Sequence, residues 1–385
     1  HRTTLDRSST LSSQIGADVY LKMENLQKTG SFKVRGAMNK ILCLSDGERR
    51  RGVIAASAGN HAQGVAMASS LLGIPSTIVM PENAPLTKIT ATESYGAQVV
   101  LSGRVFDDSY EKALEIQQET GAVFIHAFDD PAIMAGQGTI GLEIYEELPD
   151  VDTVLIPIGG GGLIAGVAVA LKSLKPSVRI IGVQAAGAAG MIHARKMGKP
   201  ESLPHADTLA DGIAVKRVGD LTFATAERYV DELVTVEEEE ISQAILTLME
   251  KTKTLTEGAG AVGLAAALQG KVDLTGQKAV FIISGGNMDI NFLAQIIERG
   301  LRRSGRAMTC QLLLPDQPGN LEKVLELIAQ EGGNIINIEH SRYDLSVPLR
   351  YARVHMTLET KGFDHQERIV KGLEKAGYSL VQEGI

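Results

Sequence analysis

The sequence predicts an α/β protein with two parallel-sheet layers, followed by a smaller α+β domain of the ferredoxin-like kind. Three observations carry that prediction. Short β-rich runs alternate with amphipathic helical stretches over about the first 300 residues, the order that makes a parallel sheet covered by helices. Runs such as Ala279-Val280-Phe281-Ile282-Ile283 are apolar throughout, which suits strands buried on both faces. After the charged, glycine-bearing segment Arg302-Arg303-Ser304-Gly305-Arg306 the order of elements changes, and that segment reads as a linker.

Taken in order, residues 19–23 (Val-Tyr-Leu-Lys-Met) read as a strand and Lys33 to Leu44 as a helix. Gly52 to Ser57 is a strand leading into Ala58-Gly59-Asn60-His61, with a helix from Ala62 to Leu72. Further strands fall at 76–80, 98–101 and 123–126, with a helix near 87–95. The pattern continues with strands at 154–158, 179–184 and 279–283, each followed by a helical segment. Two layers are expected within residues 1–305: a small one near 35–130, and a larger one collecting the N-terminus and the remainder. Residues 306–385 give strand (310–314), helix (321–329), strand (335–341), strand (351–358), helix (365–375) and strand (378–382). That is the βαββαβ unit.

Composition narrows the function. With 44% apolar and 22% charged residues the 385-residue chain is an ordinary globular one, long enough for two or three domains. No run approaches the roughly 20 apolar residues of a membrane span. A net charge of -8 with few Lys/Arg clusters argues against a nucleic-acid partner. Arg49-Arg50-Arg51 reads as a solvated face. Two widely separated cysteines, Cys43 and Cys310, exclude a disulfide framework, and a cytoplasmic location is expected. The chain begins at His1 with no signal-peptide pattern, so export is not expected.

Three loops and one lysine carry the chemistry. Gly159-Gly160-Gly161-Gly162 follows a buried strand and opens a helix from Leu163 to Leu174. Glycines let the backbone approach closely, and a helix start offers free N–H groups and a positive dipole end, together an anion site suited to phosphate. A plain tight turn would not need four glycines. The spacing is not that of a dinucleotide fingerprint, and Lys-Ser/Thr does not follow, so it is no P-loop. Ser57-Ala58-Gly59-Asn60-His61 has the same strand-loop-helix setting, with N–H groups able to clamp a carboxylate. Asn60 can hydrogen-bond a phenolic oxygen, and His61 reads equally as a base or as a structural imidazole. Ser284-Gly285-Gly286-Asn287 is the third loop. Ligands in open α/β sheets sit at the carboxyl ends of strands, where all three lie. Lys33, in Thr29-Gly30-Ser31-Phe32-Lys33-Val34-Arg35-Gly36-Ala37, adds an amine. An amine for an aldehyde, an anion hole for a phosphate and a partner for a ring nitrogen together suggest pyridoxal phosphate.

As a set, Ser31 to Ala37, Ser57 to His61, the four glycines and Ser284 to Asn287 resemble the signatures of fold-type II pyridoxal phosphate enzymes. Within that group, residues 1 to about 300 resemble the threonine ammonia-lyases. Asp316-Gln317-Pro318-Gly319-Asn320-Leu321 followed by Gly333-Asn334-Ile335 is similar to the ACT domain, a regulatory unit that commonly binds amino acids. The resemblance implies that Lys33 forms the Schiff base and then removes the Cα proton, with Phe32 beside it. It also implies that Gly159 to Gly162 hold the phosphate, Asn60 the ring hydroxyl and Ser284 the ring nitrogen. Ser57, Ala58, Gly59, Asn60 and His61 would receive the substrate carboxylate. A neutral serine at the ring nitrogen leaves less charge in the ring than a carboxylate partner would, which favours loss of a β-hydroxyl. The activity implied is deamination of L-threonine to 2-oxobutanoate and ammonia, and of L-serine to pyruvate. An isoleucine, valine or nucleotide effector is implied for the tail, near Gly319, Asn320, Asn334 and Ile335, along with a homodimer or homotetramer.

Three departures from the family pattern matter. Racemising relatives carry a serine where this chain has Ala58, so elimination is expected over serine racemisation. Relatives with a divalent cation site end the strand after the glycine loop with an acidic residue. This chain has Gln184, so no metal is expected there. Glu257-Gly258-Ala259-Gly260-Ala261 lacks the proline expected after the glutamate, and leaves Glu257 either near the substrate or structural. An amino-acid sensor that has lost activity, and a β-replacement enzyme, are the competing readings.

Overall fold

The computed structural model describes residues 1–343 and 345–382. It divides into two compact units, His1–Met288 and Asp289 onward. The expected boundary at 305 is therefore displaced. The segment read as a linker is the end of a helix, Ile290–Arg303, whose first turn is capped by Asp289 accepting from the N–H groups of Asn291 and Phe292 at 2.8 and 3.2 Å. Arg302 and Arg303 sit in its last turn, where cations complement the helix dipole.

The first unit holds both parallel layers. Its larger sheet runs in the order Leu5–Arg7, Asp18–Lys22, Lys278–Ile282, Thr153–Pro157, Arg179–Ala185, Glu232–Val236, parallel throughout except for the first strand. The smaller sheet runs Gln98–Leu101, Ser76–Met80, Val53–Ala56, Val123–Phe124, all parallel. The last of these stops two residues short of expectation. His126 Nδ1 accepts from the N–H groups of Phe128 and Asp129, at 3.2 and 2.8 Å, and turns the chain. The central strands are buried on both faces, as their apolar runs require.

The helix Lys33–Leu42 packs Ala37 and Ile41 into the core of the small layer with Val65, Ile78 and Ile133. Its neighbour, helix Pro131–Glu147, comes very close. A Cβ on Gly136 would lie 2.5 Å from the Arg35 carbonyl oxygen, and one on Gly36 would lie 2.4 Å from the Gln137 amide.

Beneath that helix lies a buried ion network. Arg35 donates to both oxygens of Glu24 at 2.8 Å and to both oxygens of Glu143 at 2.6 and 2.8 Å. Fully buried Lys22 pairs with Glu143 at 2.6 Å and donates to the Thr3 carbonyl at 2.7 Å. Two cations face two carboxylates, so the cluster is neutral. Charges are expensive to bury, and each holds the next only while all are present.

The second unit has an antiparallel sheet in the order Asn334–Ser341, Tyr351–Glu359, Ala307–Pro315, Leu380–Gln382. Helices Asn320–Gln330 and Phe363–Lys375 contribute Val324, Ile328, Ile369 and Leu373 to one core with Cys310, Leu312, Val354 and Met356. This is the ferredoxin-like βαββαβ order.

Removing one member of the buried network leaves an uncompensated charge, at a cost of about 3–5 kcal/mol. Arg35→Ala is expected to lower the thermal unfolding midpoint of the first unit by several degrees. An unchanged midpoint in a melting scan would show that the network is not a structural requirement.

Candidate active site

Four loops leave the carboxyl ends of parallel strands in the first unit and close on one cavity of about 750 Å³. Phe32, Lys33, the residues 57–61, Gly159 to Gly162 and Ser284 all line it. The loops are tied together through their backbones. Phe32 N–H donates to the Ser284 carbonyl at 3.1 Å, and Gly286 N–H donates to the Gly30 carbonyl at 2.9 Å. The Lys33 and Ser284 loops are thereby one rigid edge of the cavity.

Lys33 is the first residue of its helix. Its amine donates to the Ala127 carbonyl at 3.1 Å and lies 5.3 Å from the centre of the Phe32 ring. Burial pushes its pKa down from 10.5 to about 8, opposed by the charge of Glu257. A cation at a helix start also faces the positive end of the dipole. The neutral amine, the form that attacks a carbonyl, is then far more populated near neutral pH than for a lysine in water, though the ammonium still predominates there.

The glycine loop is shaped by what stands behind it. A Cβ on Gly160 would fall 2.3 Å from the Phe128 ring, and Gly161 has φ +96°. Thr222 Oγ1 and Gly219 N–H donate to the Gly160 carbonyl at 2.7 and 3.2 Å, turning the loop's carbonyl outward. The first N–H groups of helix Gly162–Leu174 have no partner within the helix and stand at the cavity. Asp129 positions the supporting helix by accepting from the N–H groups of Asp220 and Thr222, at 3.1 and 3.0 Å. Phe128, Asp129 and Thr222 escaped the sequence reading, because none lies in a glycine loop.

Asn60 opens its helix and sits between two side chains. Its Nδ2 donates to Glu257 at 2.8 and 3.0 Å, and its Oδ1 accepts from Asn287 Nδ2 at 2.8 Å. His61, buried, donates from Nε2 to the Ile125 carbonyl at 2.8 Å. Burial, with Lys33 nearby, pushes its pKa down to about 3. Its ring is a fixed structural group, and only its backbone N–H is offered at the helix start. Gln184 is likewise fully used. Nε2 donates to the carbonyls of Ile158 and Ala188, both at 3.3 Å, while Oε1 accepts from Met191 and Ile192, both at 3.0 Å. Among the described residues no cluster of three or more His, Cys, Asp or Glu could hold a metal.

The fold and this cavity define a class of enzyme that attaches an aldehyde cofactor to a lysine and holds its phosphate on a helix start. Residues 1–285 match the model of the family "Pyridoxal-phosphate dependent enzyme". The chain belongs to that family, and its cofactor is pyridoxal 5'-phosphate. It is 54% identical over 380 residues to an L-threonine ammonia-lyase of Thermotoga maritima, covering 99% of this chain and 94% of the relative. Among solved structures it resembles threonine deaminase isoform 2 of Solanum lycopersicum, at TM-score 0.75 and 43% identity over 77% of this chain and 83% of that one. Maize serine racemase is similar too, at TM-score 0.74 and 38% identity over 79% of this chain and 93% of the other.

The side chains present fit the cofactor. Ser284 Oγ is buried with no hydrogen-bond partner, a costly state that a ring nitrogen would relieve. The glycine loop offers N–H groups to an anion, and Lys33 supplies the amine.

In the second unit the four residues proposed for an effector do not converge within one chain. Gly319 and Asn320 open the helix Asn320–Gln330, and Asn334 and Ile335 follow its far end, about 16 Å along the axis. Asn320 Nδ2 donates to the Pro315 carbonyl at 3.0 Å and Asn334 Nδ2 to Glu359 at 3.1 Å. Their separation follows from the βαβ order, which puts a loop at each end of the helix.

The state of the Lys33 amine gives a direct expectation. Capture of pyridoxal phosphate by the cofactor-free protein should speed up as pH rises through about 8 and level off above it. A stopped-flow absorbance rate that is flat across that window would contradict the depressed amine.

Proposed function

We propose that the protein is an L-threonine ammonia-lyase that converts L-threonine to 2-oxobutanoate and ammonia, and L-serine to pyruvate, by β-elimination. The 54% identity to an enzyme of that name, in an alignment spanning 99% of the chain, supports the reaction. The observation in the site that carries the choice between reactions is Ala58. It lines the cavity in the loop that would receive the substrate carboxylate, and a methyl group can neither take nor give a proton.

Bound pyridoxal phosphate supplies an electron sink for the pair left at Cα. The residues do the rest. Lys33, in its neutral form, would take the Cα proton on its own side of the cavity. The N–H groups of residues 57–61 hold the carboxylate, which fixes the Cα–H bond towards Lys33. Ser284, neutral, would offer the ring nitrogen a hydrogen-bond partner without a charge. An electron pair held near Cα would then displace the β-hydroxyl, which leaves as water with the proton that Lys33 has taken. The unsaturated amine that leaves hydrolyses to the 2-oxoacid and ammonia.

Serine racemase is the alternative that the likeness to the maize enzyme raises. It would need an acid on the opposite face, where Ala58 has none to offer. The reading also includes an ACT-like role for the second unit, with an isoleucine, valine or nucleotide effector, a dimer or tetramer, and a cytoplasmic location. Since Gly319/Asn320 and Asn334/Ile335 lie apart within one chain, a shared effector site would join two copies. Among the described residues no helix is long and apolar enough to cross a membrane.

A 2-oxoacid assay with L-threonine and L-serine tests the whole reading. Both substrates should yield product, Lys33→Ala should abolish it, and chiral analysis should find no more than traces of D-serine. Isoleucine, valine and nucleotides added to the same assay should change the rate if the second unit is regulatory. Absence of product would favour the sensor, and D-serine as the main product would favour racemisation.

A further inference from the structure

Glu257 is a buried carboxylate lining the cavity, and the reaction above gives it no task. It is buried and stands just before the helix Gly258–Leu268, yet its side chain makes no capping hydrogen bond to that helix. Its carboxylate instead reaches across to Asn60, and both oxygens accept from the same Nδ2 at 2.8 and 3.0 Å. On the other side Asn287 Nδ2 donates to Asn60 Oδ1 and to the Thr29 carbonyl, each at 2.8 Å. The Asn60 amide is held from both ends. Flipping it would set donor against donor at Asn287 and acceptor against acceptor at Glu257. A carboxylate whose two oxygens share one Nδ2 can be served by one of its two hydrogens, which leaves the other able to donate to a further partner. Two glycines make room for the carboxylate. A Cβ on Gly285 would lie 2.4 Å from Glu257 Oε1, and one on Gly212 would lie 3.1 Å away.

We propose that Glu257 is a positioning residue acting through Asn60: its ionised carboxylate fixes the amide so that Nδ2 donates into the cavity to the ring oxygen of the bound cofactor. The proposal rests on the reading of Asn60 as the partner of that oxygen. It does not depend on which amino acid is the substrate.

The hold has a pH dependence. Burial pushes the Glu257 pKa up from 4.5 to about 7, against the hydrogen bond from Asn60; Asp211 raises it further, and Lys88 and Lys33 lower it. Below that pH the carboxyl gains a proton, and an O–H then faces the Asn60 N–H. The fixed orientation weakens, and with it the ionised form of the ring oxygen. Above that pH the carboxylate is a pure acceptor and the amide is locked.

The test is the absorption spectrum of the holoenzyme with no substrate present. The yellow band of the ionised ring oxygen is compared with the near-ultraviolet band of its protonated form, across the neutral range. Wild type should lose the yellow band progressively as pH falls through about 7. Glu257→Gln keeps the shape and can still accept, so it should bind cofactor and melt like wild type but show a ratio independent of pH in that window. Glu257→Ala should lower the ratio at every pH, and kcat/KM on the order of tenfold, as loss of a charge-assisted hydrogen bond implies. Asn60→Ala should move the ratio in the same direction. A Glu257→Gln protein that keeps the wild-type pH dependence, or a Glu257→Ala protein with the wild-type ratio, overturns the proposal while Asn60→Ala still shifts. If Asn60→Ala leaves the spectrum unchanged with cofactor bound, the reading of Asn60 falls as well.

Discussion

Lowering the pKa of one amine inside a cavity is the constraint on which the rest of the first unit depends. A lysine in water is an ammonium, and an ammonium cannot attack an aldehyde. The Lys33 side chain is part-buried, with the Ala127 carbonyl as the hydrogen-bond partner of its amine. The helix start adds the unfavourable end of a dipole. That arrangement costs stability, and the neighbouring sequence offsets it. Two residues along the same helix, Arg35 keeps its charge because Glu24 and Glu143 neutralise it. One turn of helix thus carries a lysine hydrogen-bonded to one backbone carbonyl and an arginine paired with two carboxylates. Glycine contacts at Gly36 and Gly136 then fix where that turn sits.

Around the amine the polar groups are mostly neutral, and that neutrality selects the chemistry. On the proposed reading Ser284 would bring no charge to the ring nitrogen and Ala58 would provide no proton, while His61 is held as a neutral imidazole by burial. A carboxylate at the first position would draw charge into the ring, and a hydroxyl at the last would serve a second face. The side chains absent from this cavity are as decisive as those present. Glu257 departs from that neutrality. It is a buried carboxylate, and its partner is the one amide whose orientation the ring oxygen would depend on.

Much of this was legible in the sequence because the chemistry is concentrated in loops with glycine or polar punctuation. Lys33, Asn60, the four glycines and Ser284 lie in such loops, and all of them meet at one cavity. The strands at 76–80 and 98–101 and the second unit's βαββαβ order could be read from apolar runs alone. What could not be read depends on contacts between residues far apart in sequence. Phe128 behind the glycine loop lies some way from it in sequence, and Asn60 meets Glu257 across 197 positions. The edge strand Glu232–Val236 is only partly buried, so it lacks the continuous apolar run that marked its neighbours. The end of the helix Ile290–Arg303 was read as a linker because it is charged, and charge at a helix end looks like a linker when read as composition.

The account stands on Lys33 being the one residue that takes the cofactor, in a cavity that Lys88 and Lys216 also line. Reducing the holoenzyme with borohydride, digesting it and weighing the peptides decides the point without reference to any substrate. The cofactor's mass should appear on the peptide containing Lys33, with Lys33→Ala left unlabelled. Label on Lys88 or Lys216 in the wild type, or undiminished label in Lys33→Ala, would contradict the account at its centre.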